Sequence, residues 1–143
     1  MKRWPAKHMA EILVDTSALF ALLNSEDDHH AKAARTHERL VRQKASLILP
    51  NFILAETHAI LNKRVGPRAA LDFLNAALRD FEMERVSLED EWSAHAILQT
   101  ATRARSLSYF DAILVAVAER RKISEIFSYD RHFELMGLRL SHS

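Results

Sequence analysis

The stretch Glu11-Ile12-Leu13-Val14-Asp15-Thr16-Ser17-Ala18-Leu19-Phe20-Ala21-Leu22-Leu23 decides the fold. Four residues ending in three consecutive aliphatics read as a short strand buried on both faces, the pattern of a parallel sheet. Asp15-Thr16-Ser17 then offers N-cap chemistry for a helix over Ala18–Leu23. A strand running straight into a helix, with an acid at the junction, is the first half of a strand–helix–strand unit. It also places a carboxylate beside the core, where burial is costly unless something compensates it.

The unit recurs. After a break at Asn24–Asp28, a helix is expected from about His29 to Gln43, and Ser46–Leu49 reads as a second strand stopped by Pro50. Asn51 is then expected to cap a helix through Leu61 that ends before Gly66-Pro67, with another over Arg68–Arg79. Phe81–Val86 reads as a marginal strand, and Leu88 to about Arg103 as an amphipathic helix. Ser108 caps a very apolar helix, Tyr109–Arg121, expected to be packed on most sides. Glu125–Ser128 is a further short strand, and Leu138–Leu140 an edge strand. Such alternation predicts an α/β chain with a short parallel central sheet flanked by helices.

Composition is that of an ordinary globular domain: 143 residues, 48% hydrophobic and 27% charged, read as a leader over residues 1–10 and one domain over 11–143. Twenty basic residues against nineteen acidic ones exclude a histone-like protein. They leave open a nucleic-acid site in which acids line a cleft and bases its rim. With no cysteine, disulfides and thiolate metal sites are excluded. The basic start lacks an apolar h-region, and no apolar run reaches the roughly 20 residues of a bilayer span. The chain reads as cytoplasmic, with no membrane partner.

Three more acids repeat the placement of Asp15 beside an apolar segment: Glu56 in Asn51-Phe-Ile-Leu-Ala-Glu56, Asp111 before Ala112–Ala118, and Asp130 after Ile126-Phe-Ser-Tyr129. In a parallel sheet, ligands bind outside the carboxyl ends of the strands. All four acids are expected on that edge, Glu56 and Asp111 in the first turns of their helices. Gathered carboxylates resist ionising together, and a divalent cation removes the penalty. Hard cations take oxygen ligands and commonly serve phosphate chemistry. Taken singly, Asp15 could cap a helix, Glu56 could be an exposed helical acid, Asp111 could answer the helix dipole, and Asp130 could start a turn. Those readings do not explain why all four share one edge.

Ile-Leu-Val-Asp15-Thr-Ser-Ala-Leu, Leu-Ala-Glu56, Leu-Ser-Tyr-Phe-Asp111-Ala and Phe-Ser128-Tyr-Asp130-Arg-His-Phe resemble, in this order, the motifs of PIN-domain ribonucleases, and most nearly the VapC-type toxins of type II toxin–antitoxin pairs. The resemblance spans about residues 11 to 140. It implies a three-layer α/β/α fold and Mg²⁺- or Mn²⁺-dependent endonucleolytic hydrolysis of RNA. Asp15, Glu56, Asp111 and Asp130 become the catalytic and metal-binding set, and Thr16 and Ser128 offer hydroxyls to a carboxylate, a water or the substrate. A homodimer and a cognate antitoxin are the implied partners. The leader has no counterpart in the family pattern, and Tyr109-Phe110 stand where the family usually has a small or polar residue, which is expected to alter the pocket wall.

Two rival readings share these residues: a PIN-like RNA-binding module without catalysis, and a metal-dependent 5′-nuclease or phosphatase. The haloacid-dehalogenase pattern needs Asp-x-Asp, and Ser17 stands at the second position. Arg131, directly after Asp130, is expected at the rim against the RNA backbone, with His132 and Arg120-Arg121-Lys122 near the same edge. Asp27, Asp28, His29 and His30 read as a helix start with solvated imidazoles, and Asp90 and Glu91 as first-turn helix charges. Arg35, Arg39 and Arg42 read as a solvated stripe.

Overall fold

The computed structural model describes residues 9–100 and 107–142. Most of the leader, and the expected end of the fifth helix near Arg103, fall outside the described residues. The elements run β1 (Glu11–Val14), α1 (Thr16–Leu23), α2 (His30–Arg42), β2 (Ser46–Pro50), α3 (Asn51–Arg64), α4 (Pro67–Asp80), β3 (Glu82–Glu84), α5 (Leu88–Thr100), α6 (Tyr109–Arg121), β4 (Glu125–Phe127), α7 (His132–Leu135) and β5 (Arg139–Leu140).

All four strand pairings are parallel, in the order β3-β2-β1-β4-β5. The chain leaves β1 toward β2 on one side and later returns to its other side as β4, so β1 is the switch point where such sheets bind ligands. Right-handed crossovers put α1–α4 on one face and α5 and α6 on the other, and the packing of α1 on α2 and α3, α3 on α4, and α5 on α6 agrees. This is the expected α/β/α sandwich. The central strands are apolar because both faces are covered: Ile12, Leu13, Val14, Ile48, Leu49, Ile126 and Phe127 are all buried. Each such side chain contributes roughly 1.5–3 kcal/mol. On α6, every residue from Ala112 to Ala118 is buried, as the apolar run predicts.

Helix boundaries follow local chemistry. Gly66 takes φ 139°, which a side chain would strain, and Pro67 opens α4. Ser108 and Asp111 form a capping box at the start of α6. Asn51 departs from expectation. Pro50 holds the N-cap position, and the Asn51 side chain instead accepts from the Val86 backbone N–H at 3.0 Å. It ties the start of α3 to the segment after β3. Glu56 accordingly sits in the second turn of α3 rather than the first.

Candidate metal and phosphate site

The β1–β4 ladder builds the site. Leu13 pairs with Ile126 and Val14 with Phe127, and the Asp15 N–H continues the pattern to the Phe127 carbonyl at 3.1 Å. Register therefore delivers Asp15 and Ser128 side by side where both strands end. Asp15 occupies the N-cap position of α1, but its side chain makes no cap bond. The carboxylate accepts from the Ser128 hydroxyl at 2.8 Å and the Ser17 hydroxyl at 2.9 Å, both on Oδ2. Ser17 Oγ in turn accepts from the Tyr129 N–H, and Ser128 Oγ from the Asp130 N–H, each at 3.0 Å. The motif around Asp15 is thus tied to the motif around Asp130 rather than used as a helix cap.

Asp15 is 5% exposed, and its carboxyl is pushed up to about 7. Burial is the largest cause. The Ser128 hydroxyl opposes it, the Asp130 charge reinforces it, the Ser17 hydroxyl opposes, and the Asp111 charge reinforces again. Three of the four acids expected to meet therefore feel one another.

The fourth is held by hydroxyls. Thr16 donates to Glu56 Oε1 at 2.6 Å, and the buried Thr57 donates to Thr16 Oγ1 at 3.3 Å. This Thr57–Thr16–Glu56 relay fixes a carboxylate on α3 beside the residue that follows Asp15. Thr57 is a supporting residue that sequence reading passed over; its place directly after Glu56 was the available signal.

His132, expected near the rim, sits deeper than that. Asp111, Asp130 and His132 each offer a ligand atom, all within 4.8 Å of one another. His132 Nε2 lies 3.2 Å from Asp111 Oδ2, close enough for an ion pair but not aligned as a hydrogen bond. The imidazole therefore faces the acids instead of the rim. Asp130-Arg-His132 carried the signal, because the short helix α7 folds the second residue after Asp130 back toward α6. Asp111 does two jobs, since its Oδ2 also accepts from the Ser108 N–H at 3.1 Å.

These donors fit a hard divalent cation. They are carboxylate oxygens, with one imidazole beside them, and the adjoining Asp15 is raised first by burial and then by the Asp130 and Asp111 charges.

Other expectations need correction. Arg120 and Arg121 stand at the far end of α6 from Asp111. Arg121 bridges Glu11, Glu82 and Glu84, and Arg120 bridges Glu84 and Asp90. They are bound to acids and do not line the site edge. Asp90 is the first-turn charge expected in α5, and it is buried beneath Arg120 and forms a reciprocal cap with Ser87. Arg39 donates to the Ser141 carbonyl instead of lying in a free stripe. His29 stacks flat on Tyr129, with centroids 4.4 Å apart, and His30 Nδ1 lies 2.9 Å from the Ala21 carbonyl, so neither is simply solvated. Arg131 is exposed and pairs with Glu134 at 3.3 Å. Tyr109 and Phe110 are about half exposed, and Phe110 stacks on Phe52 at 5.5 Å, adding an aromatic wall between α3 and α6.

Comparison with known proteins follows the same outline. The PIN domain family pattern matches residues 12–137. The 23S rRNA-specific endonuclease VapC20 of Mycobacterium tuberculosis is 33% identical over 130 residues, covering 88% of this chain and 94% of that protein. The crystal structure of that toxin, described as cleaving the sarcin-ricin loop, superposes with a TM-score of 0.76 at 32% identity, covering 89% of this chain and 95% of the other. The DNA-bound VapBC structure from Salmonella typhimurium shares the fold, with a TM-score of 0.69 at 16% identity over 92% of this chain and 97% of that one.

Proposed function

This chain belongs to the PIN-domain family, and we propose that it is a Mg²⁺- or Mn²⁺-dependent endoribonuclease, the toxin of a toxin–antitoxin pair. The observation that carries this reading is the convergence of acids from separate segments on the switch point of the sheet, with the Asp15 carboxyl pushed up to about 7 by burial and by its neighbours.

Asp15, Asp111 and Asp130 would hold the ion, with His132 beside them and Glu56 at the margin. When bound, the ion neutralises the carboxylates and polarises a phosphate oxygen. The rest is work for the chain's own groups. Ser17 and Ser128 hold Asp15 Oδ2 and fix the carboxylate plane. The Thr57–Thr16 relay aims Glu56, which takes a proton from the attacking water. The new bond joins water oxygen to phosphorus, and the phosphorus–3′-oxygen bond breaks in line. Solvent protonates the departing oxygen, giving 5′-phosphate and 3′-hydroxyl ends. Arg131 stands at the mouth as a backbone contact.

The 23S rRNA specificity of the M. tuberculosis relative makes ribosomal RNA the first substrate to try. The VapBC neighbours support an antitoxin partner. Exposed Leu71 and Leu78, seven residues apart on α4, offer apolar surface for a homodimer. Among the described residues no helix is long and apolar enough to cross a membrane.

Wild type and Asp15→Asn are compared on structured RNA with and without Mg²⁺. Wild type should cut only with metal and leave 5′-phosphates, and Asp15→Asn should lose more than the roughly 10–100-fold typical of a residue that only supports a ligand. A 2′,3′-cyclic phosphate product rejects the mechanism, and binding without metal-dependent cutting turns the chain into an RNA-binding module.

A further inference from the structure

We infer that the cleft on the α1 side of the acids is a subsite for one unpaired nucleotide of the RNA, with Arg64 as the residue that grips its phosphate. The inference rests on the proposed ribonuclease function and deepens it.

The cleft encloses about 340 Å³, and Thr16, Ser17 and Asp130 form its inner wall, so it opens directly from the acid site. Its outer wall carries Phe20, Asp27, His29 and Arg64, so the Arg64 guanidinium is the cation that offsets the acids of the cleft. On α3, Phe52, Glu56, Ile60 and Arg64 follow one another at four-residue spacing and form one ridge. Eight residues at 1.5 Å rise put Arg64 about 12 Å along the helix from Glu56. A strand whose scissile phosphate lies at the acids would follow this ridge past Ile60 to Arg64.

Arg64 is suited to a phosphate. Its guanidinium lies over the Phe20 ring, 5.6 Å from the centroid, and among the described residues no carboxylate pairs with it. Among the described residues Arg68, Arg79, Arg120, Arg121, Arg131 and Arg139 are taken, each held in an ion pair with a carboxylate. An aromatic face orients the fork without occupying its donors.

The same cleft also carries a platform for a base. His29 stacks on Tyr129 at 4.4 Å and 6°, and Tyr129 stacks on His142 at 4.7 Å. His29 is the exposed outer ring of three and lines the cleft. Unpaired bases extend such stacks without regard to sequence. A guanidinium beside a flat ring stack matches a phosphate and its base, which favours RNA over a peptide.

The test uses wild type, Arg64→Gln, Arg64→Lys and His29→Ala. Affinity for a single-stranded RNA carrying 2-aminopurine is measured without divalent metal across a range of salt, and cleavage is measured separately with Mg²⁺. Arg64→Gln should weaken affinity roughly tenfold and lower the salt slope by about one, while Arg64→Lys keeps the slope. In cleavage, Arg64→Gln should raise KM with kcat nearly unchanged. His29→Ala should reduce the 2-aminopurine quenching that accompanies binding. Unchanged affinity and slope in Arg64→Gln overturn the subsite, as does an equal loss in Arg64→Gln and Arg64→Lys. Normal RNA binding by Arg64→Gln with weakened capture of a partner protein would also overturn it and assign the cleft to that partner. Wild type that binds RNA in an Arg64-dependent way yet never cuts would sink the ribonuclease reading and leave the subsite standing.

Discussion

The two ends of α6 treat acidic residues in opposite ways. At the start of the helix, Asp111 joins Asp130 and His132, and Asp15 lies within their field. Among the described residues no lysine or arginine forms an ion pair with Asp15, Glu56, Asp111 or Asp130. At the other end, Arg120 and Arg121 neutralise Glu11, Glu82, Glu84 and Asp90. The titration of the two buried aspartates records the difference. Burial works against the charge of both. Asp15 finds only hydroxyls and further acids and is pushed up to about 7, whereas the Arg120 guanidinium and Ser87 bring the Asp90 carboxyl below its ordinary range. One end of the helix is closed within the chain, and at the other, among the described residues, no lysine or arginine answers the negative charge. The same residue type is paired in one place and crowded with other acids in the other because of which side chains fold beside it.

The contrast can be broken most sharply at Arg120. Arg120→Ala leaves the buried Asp90 without its partner. Complete burial of such a pair would cost about 3–5 kcal/mol, and because the Arg120 side chain is 38% exposed the expected loss is about 2–3 kcal/mol in urea unfolding. Metal-dependent cleavage per folded molecule should stay within about twofold, since α6 is long enough to isolate its two ends. A large loss of activity at unchanged stability would show that the two ends are not separate.

Ser128→Ala sharpens the other end. It removes one of two hydroxyls on Asp15 Oδ2 and the acceptor for the Asp130 N–H. Activity and Mn²⁺ affinity should fall roughly 10–30-fold, the lower part of the range for residues that orient metal ligands. Calorimetric Mn²⁺ titration checks it, and an unchanged affinity would show that the serine is only packing.

The third effect is in pH, and the two aspartates carry opposite signs. Asp15 has a folded-state value above its unfolded one, so its contribution to metal-free stability is complete below about 3.8 and is lost as pH rises to about 7. The slope is at most about 1.4 kcal/mol per pH unit. Asp90 is lowered, so its contribution holds at neutral pH and is lost as pH falls through the acid range. Metal-free urea unfolding between pH 5 and 8 should show stability declining toward pH 7, with the decline absent in Asp15→Asn. A wild-type profile identical to that of the variant would remove the argument for a desolvated, crowded carboxylate.

Much of this was legible beforehand because short apolar runs are local signals. β1 has the expected bounds, β2 and β4 differ by one residue, and the marginal strand near Met83 and the edge strand at Leu140 are both present. The four acids were expected on one edge for the same reason, since each adjoins a run whose direction the parallel order fixes. Local pattern misled where a residue had a distant partner to choose. Asn51 looked like a cap and bonds Val86 instead, and Asp15 looked like a cap and bonds Ser128. Arg120 and Arg121 looked like rim cations and are bound to four acids from three other elements.

The amino-acid order by itself determined the strand–helix alternation, the buried faces and the acids beside them, because burial periodicity and helix capping act over a few residues. Tertiary structure alone decided that His132 turns toward Asp111, that Thr57 and Thr16 steer Glu56, and that Arg64 rests on Phe20 above a cleft open to the acids. Those contacts depend on strand register and helix rotation, and hydrogen bonds and ring contacts reach only a few ångströms, so nothing in the linear spacing of the residues could fix them.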